Sequence, residues 1–207
     1  MNLLSTVFIM SLVCNAATAS TQDPKARTES LIKTLAQIEK ADSATGAYTQ
    51  PAREHNRAVF KDVDTYFDLK GFSASAIAPH KAKFNTKQLQ SFHETFMQLL
   101  RIVAYPKSGA FMKDAKPTIK NVEPQNKNVA VMVRGYSAAD DFESHTTFVW
   151  SKQKMWRIAD VQFDGASLLQ DYRNQFGRIV EKEGADGLLK KLQDRLAKEK
   201  ASKGMPL

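Results

Sequence analysis

Closely spaced strand patterns dominate the second half of this 207-residue chain. Thr118 to Glu123 is short and β-prone, and Pro124-Gln125-Asn126 reads as a turn. Val129, Val131 and Val133 then alternate with Ala130, Met132 and Arg134, which gives a strand with two distinct faces. A polar turn, Ser137 to Asp141, leads into His145 to Trp150, and Gln153-Lys154 closes a hairpin into Met155 to Asp164. Links this short leave no room for a crossover, so the neighbours must run antiparallel. The chain must therefore build on a meander of about four strands.

Helical patterns flank the meander. Asp23-Pro24 has the form of an N-cap followed by a first-turn proline, ahead of Leu31, Ile32, Leu35 and Ile38. Asp42 to Gln50 reads as a loop. Pro51 opens a helix carrying Val59, Val63, Tyr66 and Phe67, and Phe72 to Ala78 reads as a short helix stopped by Pro79. Asn85-Thr86-Lys87-Gln88 resembles a capping box before a strongly amphipathic helix that ends near Pro106, with a loop from Lys107 to Ala110. Beyond Gly165, Leu168, Leu169, Tyr172, Phe176, Ile179 and Val180 mark a further helix. Gly184 is placed to end it, and Asp186 to cap a last one carrying Leu188, Leu192 and Leu196. The order helices, meander, helices predicts one α+β domain.

The N-terminus reads as an export signal. The apolar run Leu3 to Val13 precedes Ala17-Thr18-Ala19, a small-x-small cleavage pattern, and the run is too short to span a bilayer. Residues 1–19 are thus expected to be a signal peptide cleaved after Ala19, leaving 20–207 as a single domain in the periplasm. A buried N-terminal helix, or a lipid anchor on Cys14, is the competing account; bulky Val13 suits the anchor poorly. Cleavage would remove Cys14, the one cysteine, and with it any disulfide, thiolate metal site or cysteine nucleophile. The net charge of +8 favours anionic partners, but export and the scattering of lysines among acids argue against nucleic acid.

Catalytic patterns are hard to find. None of His55, His80, His93 and His145 has a ligand partner at i+3 or i+4. Asp140, Asp141, Glu143 and His145 are a conceivable cation cluster, but cation loops alternate their oxygen ligands with glycine, and a solvated turn is the simpler account. No Gly-rich phosphate cradle, Gly-x-Ser-x-Gly elbow or His-Glu-x-x-His occurs. Asp160 and Asp164 share a strand face, with Asp160 a candidate hydrogen-bond anchor and Asp164 a turn residue. No catalytic residue, metal site or cofactor is predicted. The twelve phenylalanines are spread over helices and strands, which suits either a solid core or a lined cavity.

Asp160, Gly165, Ser167, Leu168, Tyr172, Arg173, Gln175 and Phe176, with Gly184, Asp186, Gly187 and Leu188, resemble the C-terminal signature of the MlaC family. Tyr66-Phe67-Asp68-Leu69, the helix from Phe84 to Val103, and Trp156 fit the same family, so the likeness spans roughly residues 25 to 197. The hairpin turn at Gln153-Lys154 is shorter than the family's, and Ser73 to Lys83 lacks its Gly-x-Tyr/Trp.

The resemblance implies a nuclear-transport-factor-2-like cone, a curved antiparallel sheet wrapped by helices around an apolar cavity. It implies a periplasmic carrier with a glycerophospholipid as cargo. It also implies an inner-membrane ABC lipid transporter complex and an outer-membrane lipoprotein or porin as partners, with transient membrane contact. A hopanoid or terpenoid carrier, and a cone-fold acid-base enzyme using Asp160 or His93, are the alternatives. Expected lipid contacts are Phe92, Phe96, Leu99 and Val103 on the long helix. From the sheet come Val131, Val133, Phe148, Val161 and Phe163, and from the signature helix Tyr172 and Phe176. Plain core packing is an equal alternative for each. Arg173 is a candidate for a lipid phosphate, or for a surface salt bridge.

Overall fold

The computed structural model describes residues 23–137 and 141–203. The expected signal peptide, Cys14 and Asp140 lie outside the described residues. Among the described residues, no helix is long and apolar enough to cross a membrane.

Local signals set most helix starts. Helix α1 (Pro24–Leu35) is capped by Asp23, which accepts from the backbone N–H groups of Lys25 and Ala26. Helix α2 (Gln50–Asp64) is capped by Thr49 and carries Pro51 in its first turn. Helix α3 (Leu69–Ala76) is capped by Asp68, and a 3₁₀ segment (Ala78–Lys83) follows. Pro79 therefore sits at the start of a tighter helix and does not end the ordered segment. Helix α4 (Thr86–Leu99) begins with the expected capping box: the Gln88 N–H donates to Asn85 Oδ1 and the Asn85 N–H to Gln88 Oε1, each at 2.9 Å.

The segment after α4 corrects the sequence reading. No loop opens at Lys107. A π-helical turn (Leu100–Ala104) leads directly into α5 (Tyr105–Asp114), with Pro106 in its first turn. Proline lacks an N–H and crowds the carbonyl four residues back. A wide turn just before Pro106 absorbs both defects, so the helical path continues.

The sheet runs β1 (Thr118–Gln125), β2 (Asn128–Ser137), β3 (Phe142–Lys152), β4 (Trp156–Phe163) and β5 (Ala166–Ser167), antiparallel in sequence order. The meander is as expected, with a two-residue fifth strand added. On β2, Val131 and Val133 are buried while their alternate neighbours are half-buried. Asp164 (φ 47°) and Gly165 (φ 87°) form the β4–β5 turn, and Phe163 pairs with Ala166. Two consecutive positive φ values suit the twist of the strands they join, and Asp-Gly is a pair that adopts them readily. Tyr66 to Asp68 covers part of the β4 edge: the Ile158 N–H donates to the Tyr66 carbonyl, and the Asp68 N–H to the Ile158 carbonyl.

Helix α6 (Leu168–Ser202) is broken at Gly184, whose φ of 72° and ψ of −176° lie outside helical geometry. The sequence places the break correctly. Asp186 does not act as expected, because its carboxylate accepts from Gln88 Nε2 at 2.7 Å and so ties α6 to the start of α4.

The hydrophobic interior has two parts. One is helical, with Phe72, Phe92, Phe96, Phe176, Val180 and Leu188 among its members. The other lies between the sheet and α1, α2 and α5, and holds Leu31, Val63, Val131, Val133, Phe148 and Trp150. Their relation to each other creates the site.

Candidate functional site

An apolar cavity of about 570 Å³ occupies the space where the two cores fail to meet. That size falls within the roughly 300–1,000 Å³ typical of small-molecule pockets. Phe72 and Leu100 reach it from the helical core, and Tyr105, Phe148, Ile158 and Val161 from the sheet core. Val103, Ala104 and Phe111 complete the wall built by the π turn and α5.

The cavity opens at Phe142 and Phe163. Both line it, yet they remain 52% and 49% exposed. Two cations also line it, Lys107 from the first turn of α5 and Arg195 from the second half of α6. Glu199, one turn beyond Arg195, is held below the usual carboxylate range by its hydrogen bond from Lys203, with Arg195 and Lys107 adding to the effect. The two cations therefore share one neighbourhood. An interior of hydrocarbon side chains whose lining carries two cations against one carboxylate, Asp164, suits a ligand with an apolar body and an anionic end.

Tyr105 fixes one wall. Its ring lines the cavity and packs on Phe67 with centroids 5.9 Å apart. Its hydroxyl donates to Asp64 Oδ1 at 2.9 Å. Burial, followed by the nearby Asp64 carboxylate, pushes the phenol pKa far above its ordinary value. Tyr172 fixes another. Its ring meets Phe96 edge-on at 4.8 Å and stacks on Phe176 at 5.3 Å.

Of the eleven expected contacts, Val103, Phe148, Val161, Phe163 and Tyr172 line the cavity. The other six pack elsewhere in the interior. Phe92, Phe96, Leu99 and Phe176 belong to the helical core, where Phe92, Phe96 and Phe176 form an aromatic cluster with centroids 5.1 to 5.6 Å apart. Val131 and Val133 belong to the sheet core. Helix α4 directs its apolar face at α6 and α3, a choice that periodicity does not contain. The sequence reading missed Lys107, Phe111, Met112, Phe142 and Arg195. The first three fell just beyond Pro106, where the helix was expected to have ended, and Phe142 beside a segment read as a polar turn.

The polar candidates have structural partners. Asp160 accepts from the N–H groups of Val161 and Leu169 at 2.8 and 3.0 Å, and from Ser167 Oγ at 2.6 Å. His93 Nδ1 is 2.8 Å from Ser73 Oγ. Neither Asp160 nor His93 is among the residues that line the cavity. Arg173 is not among the residues that line the cavity and, among the described residues, forms no ion pair; its Nε donates to the Ser75 carbonyl at 2.8 Å. Glu143 pairs with Arg134 and His145, and among the described residues no group of three or more His, Cys, Asp or Glu could hold a metal ion.

Fold and cavity together define a class: an α+β domain that holds an apolar chamber between its sheet and its helical layer. The chain belongs to the MlaC family, described as MlaC protein, whose pattern it matches over residues 28–194. Among solved structures it is similar to a phospholipid-binding protein from Ralstonia solanacearum in complex with a phospholipid. That similarity has a TM-score of 0.69 at 17% identity and covers 86% of this chain and 98% of the other. A search of the curated proteins finds no match.

Proposed function

We propose that this protein is an exported carrier that moves phospholipid through the periplasm, with the acyl tails in the apolar cavity and the phosphate near Lys107 and Arg195. The observation that carries this reading is the cavity itself, hydrocarbon-lined, open at Phe142 and Phe163, with two cations among its lining. Burying a tail there is favourable by about 0.8 kcal/mol per methylene, which offsets the insolubility of a two-tailed lipid in water. Family membership and the phospholipid complex of the Ralstonia protein support the same ligand class.

The first residues act as the export signal in this reading, cleaved after Ala19. An inner-membrane ABC transporter complex and an outer-membrane lipoprotein or porin are the exchange partners, with brief membrane contact at each. We read the chain as a carrier and not a catalyst because the candidate acid-base groups Asp160 and His93 are engaged away from the cavity.

The test is organic extraction of protein purified from cells, followed by mass spectrometry. Stoichiometric phospholipid is expected, and the mass separates it from a hopanoid or other terpenoid. Repeated lipid-free preparations that also take up none from liposomes would refute the carrier reading.

A further inference from the structure

A second concavity, of about 480 Å³, lies behind the cavity wall. It is lined by Arg53, Arg57, Lys61, Arg101 and Lys200, with Asp64 its only acid. Arg53, Arg57 and Lys61 recur every fourth residue along α2, a spacing at which like charges repel. Asp64 does little to neutralise the group as a whole. Its oxygens are taken by Arg101, with Nη2 at 2.8 Å and Nε at 3.0 Å from Oδ2, and by the Tyr105 hydroxyl. Among the described residues, Arg57, Lys61 and Lys200 enter no ion pair. The groove therefore gathers five cations from three elements against a single carboxylate, which is committed to Arg101. Such a constellation is stabilised by an anion of more than one charge, and arginine forks suit phosphate oxygens.

The groove adjoins the cavity through one wall. Arg101 and Ile102 of the π turn line the groove, while Leu100, Val103 and Ala104 of the same turn line the cavity. Asp64 faces the groove and holds the cavity-lining Tyr105. Single π turns inside helices are frequent at functional sites.

We infer that this groove is a second binding site, for a phosphate-bearing anion, and that its occupancy reaches the cavity wall through Arg101, Asp64 and Tyr105. An anion in the groove competes with Asp64 for the Arg101 guanidinium. That weakens the clamp on Tyr105 and loosens the wall formed by the π turn and α5. By linkage, a ligand that reshapes this wall alters anion affinity in return. This inference does not depend on what the cavity carries.

Calorimetric titration of the full chain with inorganic pyrophosphate at low ionic strength tests the site. Saturable binding is expected, weakened at least tenfold in Arg57→Ala/Lys61→Ala. The charge-matched variant Lys120→Ala/Lys190→Ala, which alters exposed residues outside the groove, keeps wild-type affinity. Absent binding, or equal weakening in both variants, overturns the site. Sedimentation with phosphatidylglycerol vesicles, against phosphatidylcholine, identifies the source. Capture that requires Arg57 and Lys61 assigns the site to a lipid headgroup, and pyrophosphate binding without such capture assigns it to a soluble phosphate. Amide hydrogen exchange tests the relay: pyrophosphate is expected to speed exchange over Leu100 to Met112 in the wild type and to change it little in Tyr105→Phe. Unchanged exchange in the wild type, or an equal change in both, overturns the relay.

Discussion

The Tyr105 hydroxyl donates to Asp64 Oδ1 at 2.9 Å, so one hydrogen bond joins the apolar cavity to a basic groove on the far side of its wall. Asp64 stands at the end of α2 and Tyr105 at the start of α5, and the ion pair with Arg101 completes the junction. A hydrogen bond to a charged, partly buried acceptor contributes about 1.5–3 kcal/mol. Tyr105→Phe keeps the ring and removes only the hydroxyl. It is expected to lower unfolding free energy by that amount in urea titrations, with an unchanged denaturant slope.

Ala104→Phe separates a cavity from a solid core. An added ring in a filled interior costs about 1–3 kcal/mol through overpacking. At Ala104, on the cavity lining, the ring has room to extend into empty space. Thermal stability is expected to hold, while phospholipid recovered per protein falls severalfold.

Lys107 and Arg195 are expected to act on the headgroup and not on the fold. Charge-assisted hydrogen bonds contribute about 1.5–3 kcal/mol each, and 1.4 kcal/mol is a factor of ten in affinity. Lys107→Ala/Arg195→Ala should weaken phospholipid binding tenfold or more in a liposome uptake assay. Melting temperature should move little, since neither side chain enters the hydrophobic core.

Asp160 joins β4 to the start of α6 through Ser167 Oγ and the Leu169 N–H. Asp160→Ala leaves those donors without their acceptor, at about 1–3 kcal/mol for a partly buried group. Chemical denaturation reads this loss. Retained phospholipid in the folded fraction would mark the residue as a fastener and not a ligand contact.

His93 predicts a pH dependence. Burial, then Lys70 and Lys81, lowers its pKa from the ordinary 6.5. The unfolded chain takes up the proton more readily than the folded one, so unfolding is favoured as pH falls. The loss begins near the unfolded value and is complete below the lowered folded value. Melting temperature should drop between pH 7.5 and 5.5, and His93→Gln should reduce the drop.

Much of the scaffold is legible in local sequence chemistry. The valine alternation of β2, the Asp164-Gly165 turn and the Asn85/Gln88 capping box each depend on residues within a few positions of one another. Asp160 was also legible as an anchor. Pro106 misled, because a proline within a helical pattern commonly ends the helix, and the wide turn that accommodates it has no signature in single residues. That error hid Lys107 and Phe111. Among the phenylalanines, Phe96 and Phe148 carry the same sequence signal of burial, yet Phe96 fills the helical core and Phe148 lines the cavity. Which buried face meets a neighbour and which meets a void depends on how α4 and α6 pair across nearly a hundred residues.

The break at Gly184 has a geometric consequence for the cavity. A straight helix of 35 residues would be about 52 Å long, with side chains following one another at about 100° per residue from a single origin. The glycine resets both axis and rotational phase, so the bearing of Arg195 is counted from Gly184 and not from Ser167. One residue inserted between Gly184 and Arg195 would turn the guanidinium about a quarter of the way round the helix, away from the chamber it now faces. Gly184 thus serves as an angular datum, and the eleven positions from it to Arg195 behave as a fixed interval in which composition can vary more freely than length.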